Sequence, residues 1–209
     1  GFTGRGWLVS AGYTYSRSVD QSSFSCCSAS QAFGNPTTVG DPNQREWSTS
    51  DLERRHVIVT TATMPVHPSV EVTGVLRFVS GQPYTPRIQG DVNGDGSRND
   101  RAFVFDPADV PASDTLLAAG MTRLLASAPD RVRECLVEQM GSLAGRNSCR
   151  AGWFPNVDLR VNYRPDRLGL RRNLMLSFLF VNPLAGLDQL VHGSDDMRGW
   201  GQPSRVDPN

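Results

Sequence analysis

The segment from Phe154 to Tyr163 alternates strictly between apolar and polar side chains. An extended chain with this pattern has two different faces. One face carries Val157, Leu159, Val161 and Tyr163, and the other carries Asn156, Asp158, Arg160 and Asn162. Four polar or charged side chains on one strand face would be costly in a packed core, but they are readily hydrated in a water-filled lumen. The segment therefore predicts a strand from the wall of a transmembrane β-barrel.

Four other segments have a strand-like pattern or composition. The segment from Arg54 to Val66 is rich in β-branched residues, which favour strands. In another segment, Leu174, Leu176, Phe178 and Phe180 share one face. The predicted strands lie near residues 6–18, 54–66, 69–80, 154–165 and 171–182. A tilted strand needs about 9–11 residues to span a membrane, and the predicted strands have about this length.

The connections between the predicted strands alternate between long and short. Long loops are predicted at residues 19–53, 81–153 and 184–209, and short turns join the strands between them. Outer-membrane barrels pair long extracellular loops with short periplasmic turns. We therefore predict a mainly β fold, an antiparallel meander of about five long strands that is part of a transmembrane β-barrel, with long extracellular loops carrying one or two short helices. The alternative is a soluble β-meander with large insertions, which does not explain why the asymmetry repeats.

We interpret residues 1–209 as one partial outer-membrane barrel, because about five strands cannot close a barrel. Both ends of the chain lie in loop-like sequence, so we expect a fragment of a larger wall. Hydrophobic residues make up 38% of the chain, below the roughly 45–50% of a globular protein, and a barrel wall needs only one apolar face. Lys and Arg together number 21, as do Asp and Glu, so no excess of positive charge indicates a nucleic-acid partner.

The longest predicted loop contains helical periodicity. Between about Ser113 and Ala126, apolar side chains recur at helical spacing, and Ser113 or Asp114 could cap the helix. The segment from Pro129 to Gln139 predicts a second helix. These two segments are the short helices of the predicted fold.

An acidic, glycine-rich part of the same loop predicts a calcium site. Oxygen-bearing side chains recur there at alternating positions, and Gly96 lies where a calcium loop turns sharply. The candidate ligands are Asp91, Asn93, Asp95, Ser97, Asn99 and Asp100. Ala102 stands where an EF-hand has its last acid, so the alternative is a turn cluster that is satisfied by its own backbone and by water. Bound calcium would make the loop rigid and would play no part in catalysis.

Four cysteines, none with CxxC spacing, make a zinc site improbable. We predict a disulfide between Cys135 and Cys149, which would stabilise the closed loop by roughly 3 kcal/mol; the alternative is two unpaired thiols. Cys26 and Cys27 are adjacent, so each pairs elsewhere or the two form a strained vicinal bridge. Disulfides imply a compartment outside the cytoplasm.

The sequence contains no GxSxG, HExxH, phosphate-loop or dinucleotide-binding motif, and we expect no enzymatic activity. His56, with Asp51 and two arginines nearby, could contact a ligand at the rim of a loop, but a solvated junction between loop and strand explains the same residues. His192 precedes Asp195 and Asp196, and no spacing rule for catalysis fits them.

Six segments resemble the C-terminal part of the barrel in TonB-dependent outer-membrane receptors, especially the Oar-like group. Their order and spacing carry the resemblance over nearly the whole chain. The segments are Tyr13–Ser16, Ser50–His56, Ser80–Thr85, Gly90–Arg101, Arg146–Arg150 and His192–Gly201.

The resemblance implies a receptor or importer in the cell outer membrane, with its loops extracellular. Its partners would be outer-membrane lipid, the remainder of its own barrel and plug, and an inner-membrane energy-coupling complex reached through segments outside these residues. It would also bind an extracellular ligand, whose identity the resemblance does not specify. We therefore expect a barrel fragment that takes part in ligand binding and energy-coupled uptake. The alternative is a calcium-stabilised cell-surface binding or adhesion module without transport.

Overall fold

The computed structural model describes residues 2–4, 6–21, 46–88, 90–94, 96, 100–111, 114–165 and 174–202. The chain divides into two compact units. The sheet unit comprises Gly1–Tyr15, Arg54–Ser80 and Trp153–Ser204. The loop unit comprises Ser16–Glu53, Gly81–Gly152 and Arg205–Asn209.

Twelve strands and three helices lie in the described residues. The strands are β1 Phe2–Gly4, β2 Trp7–Tyr15, β3 Val19–Asp20, β4 Ser48–Thr49, β5 His56–His67, β6 Val70–Val79, β7 Pro83–Tyr84, β8 Phe103–Val104, β9 Ser142–Leu143, β10 Cys149–Arg150, β11 Phe154–Tyr163 and β12 Leu176–Val181. The helices are α1 Thr115–Ser127, α2 Asp130–Val137 and α3 Pro183–His192.

The sheet unit is built on one six-stranded antiparallel sheet, in the order β1-β2-β5-β6-β11-β12. Neighbouring strands of this sheet follow one another along the chain, and the strands that come between them in sequence belong to the small ladders of the loop unit. The sheet is therefore the predicted meander. The predicted fold class is thus confirmed. β1 adds a short strand that the sequence pattern did not predict.

The long connections leave the sheet at one end. Tyr15 pairs with His56, and Val79 pairs with both Val57 and Phe154, so the strand ends that lead into the two longest connections lie side by side. At the opposite end, a tight turn joins β5 to β6, with a register shift between Pro65 and His67. The described residues thus show the predicted asymmetry of connections.

The loop unit contains three two-stranded ladders, β3 with β4, β7 with β10, and β8 with β9. Its small apolar core consists of Val104, Leu136 and Ala144, with partly buried side chains from both helices packed against it. The two helices lie where helical periodicity was predicted. The Asp114 carboxylate caps α1 by accepting the Leu117 N–H at 3.1 Å.

The predicted loop at residues 184–209 begins with a helix, because α3 occupies Pro183–His192. Asn182 adopts a left-handed conformation (φ 46°) that ends β12, and Pro183 supplies a φ suited to the first helical turn. The predicted loops at 19–53 and 81–153 likewise contain the short ladders described above. The predicted strand near 171–182 is seen as Leu176–Val181, and residues 171–173 lie outside the described residues.

Candidate functional site: the two faces of the sheet and the loop unit

The register of the sheet assigns each strand side chain to one of two faces, because directly paired residues point the same way. The face that carries Leu159, here called the apolar face, has no Asp, Glu, Lys or Arg in β2, β5, β6, β11 or β12. The residues of this face at strand positions are Trp7, Val9, Ala11, Tyr13, Tyr15, His56, Ile58, Thr60, Ala62, Met64, Val70, Val72, Gly74, Leu76, Phe78, Pro155, Val157, Leu159, Val161, Tyr163, Leu176, Phe178 and Phe180.

The opposite face, here called the polar face, carries the charged side chains of the same strands. Its polar members are Ser10, Thr14, Thr61, Thr63, Glu71, Thr73, Arg77, Asn156, Asp158, Arg160, Asn162 and Ser177. The structure therefore places the side chains of β11 on the faces predicted from its alternation.

Hydrogen bonds link the polar face across three strands. Arg77 forms an ion pair with Asp158 at 2.8 Å. The Asn162 amide donates to the Glu71 carboxylate at 3.1 Å, and the Ser177 hydroxyl donates to Asn162 at 2.8 Å. These bonds run from β6 through β11 to β12, so the polar side chains of this face are ordered relative to one another.

Aromatic side chains gather on the apolar face at the end from which the long connections leave. The Tyr13 hydroxyl lies 2.9 Å from His56 Nδ1, and the ring of His56 stacks on that of Trp153 with centroids 5.5 Å apart. Tyr15 and Phe78 complete the cluster through His56 and Trp153, respectively. His56 therefore belongs to an aromatic rim, here defined as these five residues.

A buried carboxylate organises the segment after β12. The Asp188 side chain is 2% exposed and accepts the backbone N–H of Arg198 at 3.0 Å and of Trp200 at 2.9 Å. His192 Nδ1 lies 2.8 Å from the same carboxylate. Burial disfavours the charged form, but these donors outweigh it and hold the pKa of Asp188 below its usual value. Asp188 therefore fastens residues 198–200 to α3.

The start of α3 is also fixed to its surroundings. The Asn182 N–H donates to Asp158 at 3.1 Å, and the Asn182 amide donates to the Gly201 carbonyl at 3.1 Å. Gly201 has a positive φ of 68°, and its Cα faces Asn182 and Leu184 so closely that a side chain would collide with them. The strand, the helix and the following loop are thus held together by named polar contacts.

The interior of the loop unit is ionic as well as apolar. The side chains of Glu53 and Arg146 are 0% and 1% exposed. Each pairs with an opposite charge that lies far away in the sequence, as buried charges require. The pairs that join the two long connections are Arg101–Glu46, Arg146–Asp20 and Arg150–Glu53.

The predicted calcium ligands Asp91 and Asp100 accept hydrogen bonds from backbone N–H groups of their own turn. The Asp91 carboxylate accepts the N–H groups of Gly94 and Gly96, and the Asp100 carboxylate accepts those of Val92 and Asn93. Asp95, Ser97 and Asn99 lie outside the described residues. Across the described ranges, no group of three or more His, Cys, Asp or Glu side chains is arranged to hold a metal ion.

Cys135 and Cys149 form a disulfide, with their Cα atoms 5.6 Å apart. This is the pair that the sequence analysis favoured, and the bridge joins α2 to β10. Cys26 and Cys27 lie outside the described residues.

α3, the role of Asp188 and the ionic interior of the loop unit were not predicted from the sequence. Leu184, Leu187 and Val191 do recur at helical spacing, which was a usable signal for α3. The pairing of Arg146 with Asp20 spans 126 positions and has no local signal. None of the helices in the described parts of the chain is long and apolar enough to cross a membrane.

Comparison with known proteins identifies the fold. A family model described as an outer membrane beta barrel domain matches residues 2–174, which include β1 to β11. No curated protein and no solved structure matches the chain. Since the matched range covers most of the chain and the sheet has the two-faced meander of a barrel wall, the chain belongs to the outer membrane β-barrel domain family.

Proposed function

We propose that this chain is part of the barrel of a TonB-dependent receptor and that, in the intact protein, it takes part in ligand binding and energy-coupled uptake. The observation that carries the proposal is the sheet with one apolar and one hydrogen-bonded polar face, whose long connections leave at one end. Together with the family, it supports a membrane-spanning wall. The six segments that resemble such receptors support the finer assignment.

In this proposal the apolar face contacts lipid and the polar face lines the lumen. The lumen side would hold the charged side chains of the sheet, where water solvates them. The alternative orientation would expose Glu71, Arg77, Asp158 and Arg160 to hydrocarbon, which costs roughly 2–4 kcal/mol for each basic residue at the midplane. The energetic difference therefore favours the proposed orientation.

The aromatic rim supports the position of the membrane in this proposal. Tyr and Trp side chains favour the interface between lipid and water. On β2, Trp7 and Tyr15 mark the two ends of a nine-residue strand, which spans roughly 26 Å at about 3.3 Å per residue. A tilt of about 40° reduces the height to roughly 20 Å, close to the apolar band of about 25 Å in such barrels. The end with the long connections would be extracellular.

Uptake by the intact protein tests the proposal. Cells that carry or lack the intact gene would be grown with a defined mixture of iron chelates, peptides and oligosaccharides, and depletion of each compound would be measured by mass spectrometry. We expect at least one compound to be depleted only when the protein is present. We also expect a protonophore to abolish that depletion, because energy coupling draws on the inner-membrane gradient.

Depletion that needs the protein but ignores the protonophore would indicate a passive pore and contradict the receptor proposal. Equal depletion in both strains would also contradict it. The matched control is a passively diffusing sugar, whose uptake across the outer membrane should be the same in both strains. The proposal assigns no catalysis to the chain.

The calcium site is retained as a separate proposal for the loop Gly90–Arg101. Hard cations favour carboxylate oxygens, and Asp91 and Asp100 lie on either side of the loop. Calcium should slow proteolysis between Gly90 and Arg101 in the full chain, and Asp95→Ala should remove the effect, while Asp109→Ala, in a separate turn, should not. Equal cleavage with calcium and with a chelator, together with no heat of binding, would refute the proposal and leave the hydrogen-bonded turn.

A further inference from the structure

The two long connections contribute opposite charges to their shared interior. The first connection, Ser16–Glu53, supplies the acidic partner of each of the three ion pairs described above. The second connection, Gly81–Gly152, supplies the arginine of each pair. In the described residues, ion pairs therefore link the first connection to the second.

Two adjacent residues of the second connection, Arg146 and Asn147, each donate hydrogen bonds to two residues of the first connection. Arg146 donates to the Asp20 carboxylate at 2.7 Å and to the Glu46 carbonyl at 3.0 Å. The Asn147 amide donates to the Thr49 carbonyl at 2.7 Å and to the Asp51 carboxylate at 2.6 Å. Both Arg146 and Asn147 are buried. Together they reach both ends of the described part of the first connection.

A closed loop holds these two residues in place. The disulfide joins Cys135 to Cys149 across a separation of 14 positions. Within the loop, Gln139 accepts the Gly145 N–H at 2.8 Å and the Ser148 hydroxyl at 2.9 Å, and it donates to the Cys135 carbonyl at 3.0 Å. Gln139 therefore binds the chain on both sides of Arg146 and Asn147.

The tip of the closed loop, at Asn147, has a left-handed backbone conformation. Asn147 has a positive φ of 54°, a conformation that most residues avoid and that Asn tolerates better than most. The Thr85 hydroxyl accepts the Asn147 N–H at 2.8 Å. The tip is thus held in a strained form that aims the Asn147 amide at the first connection.

We infer that residues 135–149 form a disulfide-closed clip that fastens the first long connection to the second. The disulfide and Gln139 set the shape of the clip, and Arg146 and Asn147 are its contacts. Order in residues 46–53 therefore depends on a bridge that lies entirely in the other connection. The clip adds the contacts of Arg146 and Asn147 to the Arg101–Glu46 and Arg150–Glu53 pairs, which also link the two connections.

Hydrogen–deuterium exchange on the full chain, folded in detergent, tests the clip. The first variant replaces Cys135 and Cys149 with Ser and leaves Cys26 and Cys27 unchanged. The second, Asn147→Gly, keeps the disulfide and permits the positive φ but removes the amide contacts. We expect the amides of residues 46–53 to exchange roughly tenfold faster or more in both variants, since the contacts that limit local opening are lost.

Arg133→Ala is the matched control, because it breaks an exposed ion pair with Asp130 on α2 and leaves the clip intact. It should leave exchange in residues 46–53 unchanged, and no variant should change exchange in β5 and β6. Unchanged exchange in residues 46–53 of the cysteine variant, while residues 135–149 loosen, would overturn the inference. If the cysteine variant fails to fold, Asn147→Gly decides: faster exchange in residues 46–53 supports the clip, and unchanged exchange refutes it.

Discussion

Buried charged side chains fix the local structure in both units. Asp188 is held by backbone N–H groups and His192, and Glu53 is held by Arg150 and the Ser18 N–H. A buried charge without such partners would strongly destabilise the fold. Each of these acids is therefore expected to be intolerant of changes that remove its acceptor oxygens.

The lowered pKa of Asp188 predicts a dependence on pH. A carboxylate whose pKa is lower in the folded state contributes stability above its unfolded pKa of about 3.9. That contribution is lost as pH falls through the folded value. Residues 198–200 should thus stay protected from hydrogen exchange at neutral pH and lose protection only below about pH 4.

Asp188→Asn should remove this protection at neutral pH as well, because an amide has one acceptor oxygen where the carboxylate has two. Exchange at the amides of Arg198 and Trp200 is the measurement. Asp196→Asn is the control, since the Asp196 side chain is 76% exposed. Equal protection in the two variants would show that Asp188 does not hold this segment.

At the residue scale, the sequence predicted what depends on local spacing. The pairing of Cys135 with Cys149 was favoured because the two lie in one loop. The hydrogen bonds of Asp91 and Asp100 match the alternative interpretation of that loop as a turn cluster. Arg146 and Asp188 could not be predicted, because their partners are backbone groups or side chains that only the folded chain brings close.

Beside the ladder of β7 and β10, the backbone of Gly81 lies close to that of Ala151. A Cβ atom on Gly81 would collide with the Ala151 carbonyl, whereas one on Gly152 would meet no atom within 4 Å. Gly81→Ala should therefore destabilise the loop unit by about 1–3 kcal/mol, the usual cost of overpacking. Gly152→Ala should change its stability by no more than about 0.5 kcal/mol.

Pulse proteolysis of the full chain across a urea series would measure this difference. The fragments to follow are those from Ser16–Glu53 and Gly81–Gly152. Equal urea midpoints for the two glycine variants would mean that the close approach of Gly81 to Ala151 is not required for the stability of the loop unit.

At the element scale, the strands were predictable because period-two alternation persists over their length. The ends of the strands were harder to predict. The first strand was predicted near residues 6–18 but is Trp7–Tyr15, because the chain from Ser16 onward belongs to the loop unit. α3 was missed because the segment begins with Pro183, contains Gly186 and stands next to a glycine-rich loop, and its composition was taken for that of the loop. In the loop unit, α1 was predicted because Leu and Met recur at helical spacing over its thirteen residues.

For the whole molecule, the architecture of the sheet unit followed from the sequence and that of the loop unit did not. A sheet with one apolar face produces alternating apolar and polar residues in its strands, and this alternation is visible in the sequence of β11. The loop unit depends on contacts between distant segments, including the three ion pairs across the two connections. No periodicity encodes such pairs, so their partners could not be predicted from spacing.

The two faces of the sheet are the central claim, and adjacent residues of β12 test it. Phe180 lies on the apolar face and Leu179 on the polar face, and their exposed fractions, 50% and 58%, are similar. Arg at a lipid-facing position near the midplane costs roughly 2–4 kcal/mol, whereas a lumen position tolerates it.

The most direct measurement is therefore the folding free energy of the intact protein in lipid bilayers, compared for Phe180→Arg and Leu179→Arg. We expect Phe180→Arg to destabilise the inserted barrel by about 2–4 kcal/mol and Leu179→Arg to leave it nearly unchanged. Equal losses, or a larger loss for Leu179→Arg, would contradict the assignment of the apolar face to lipid.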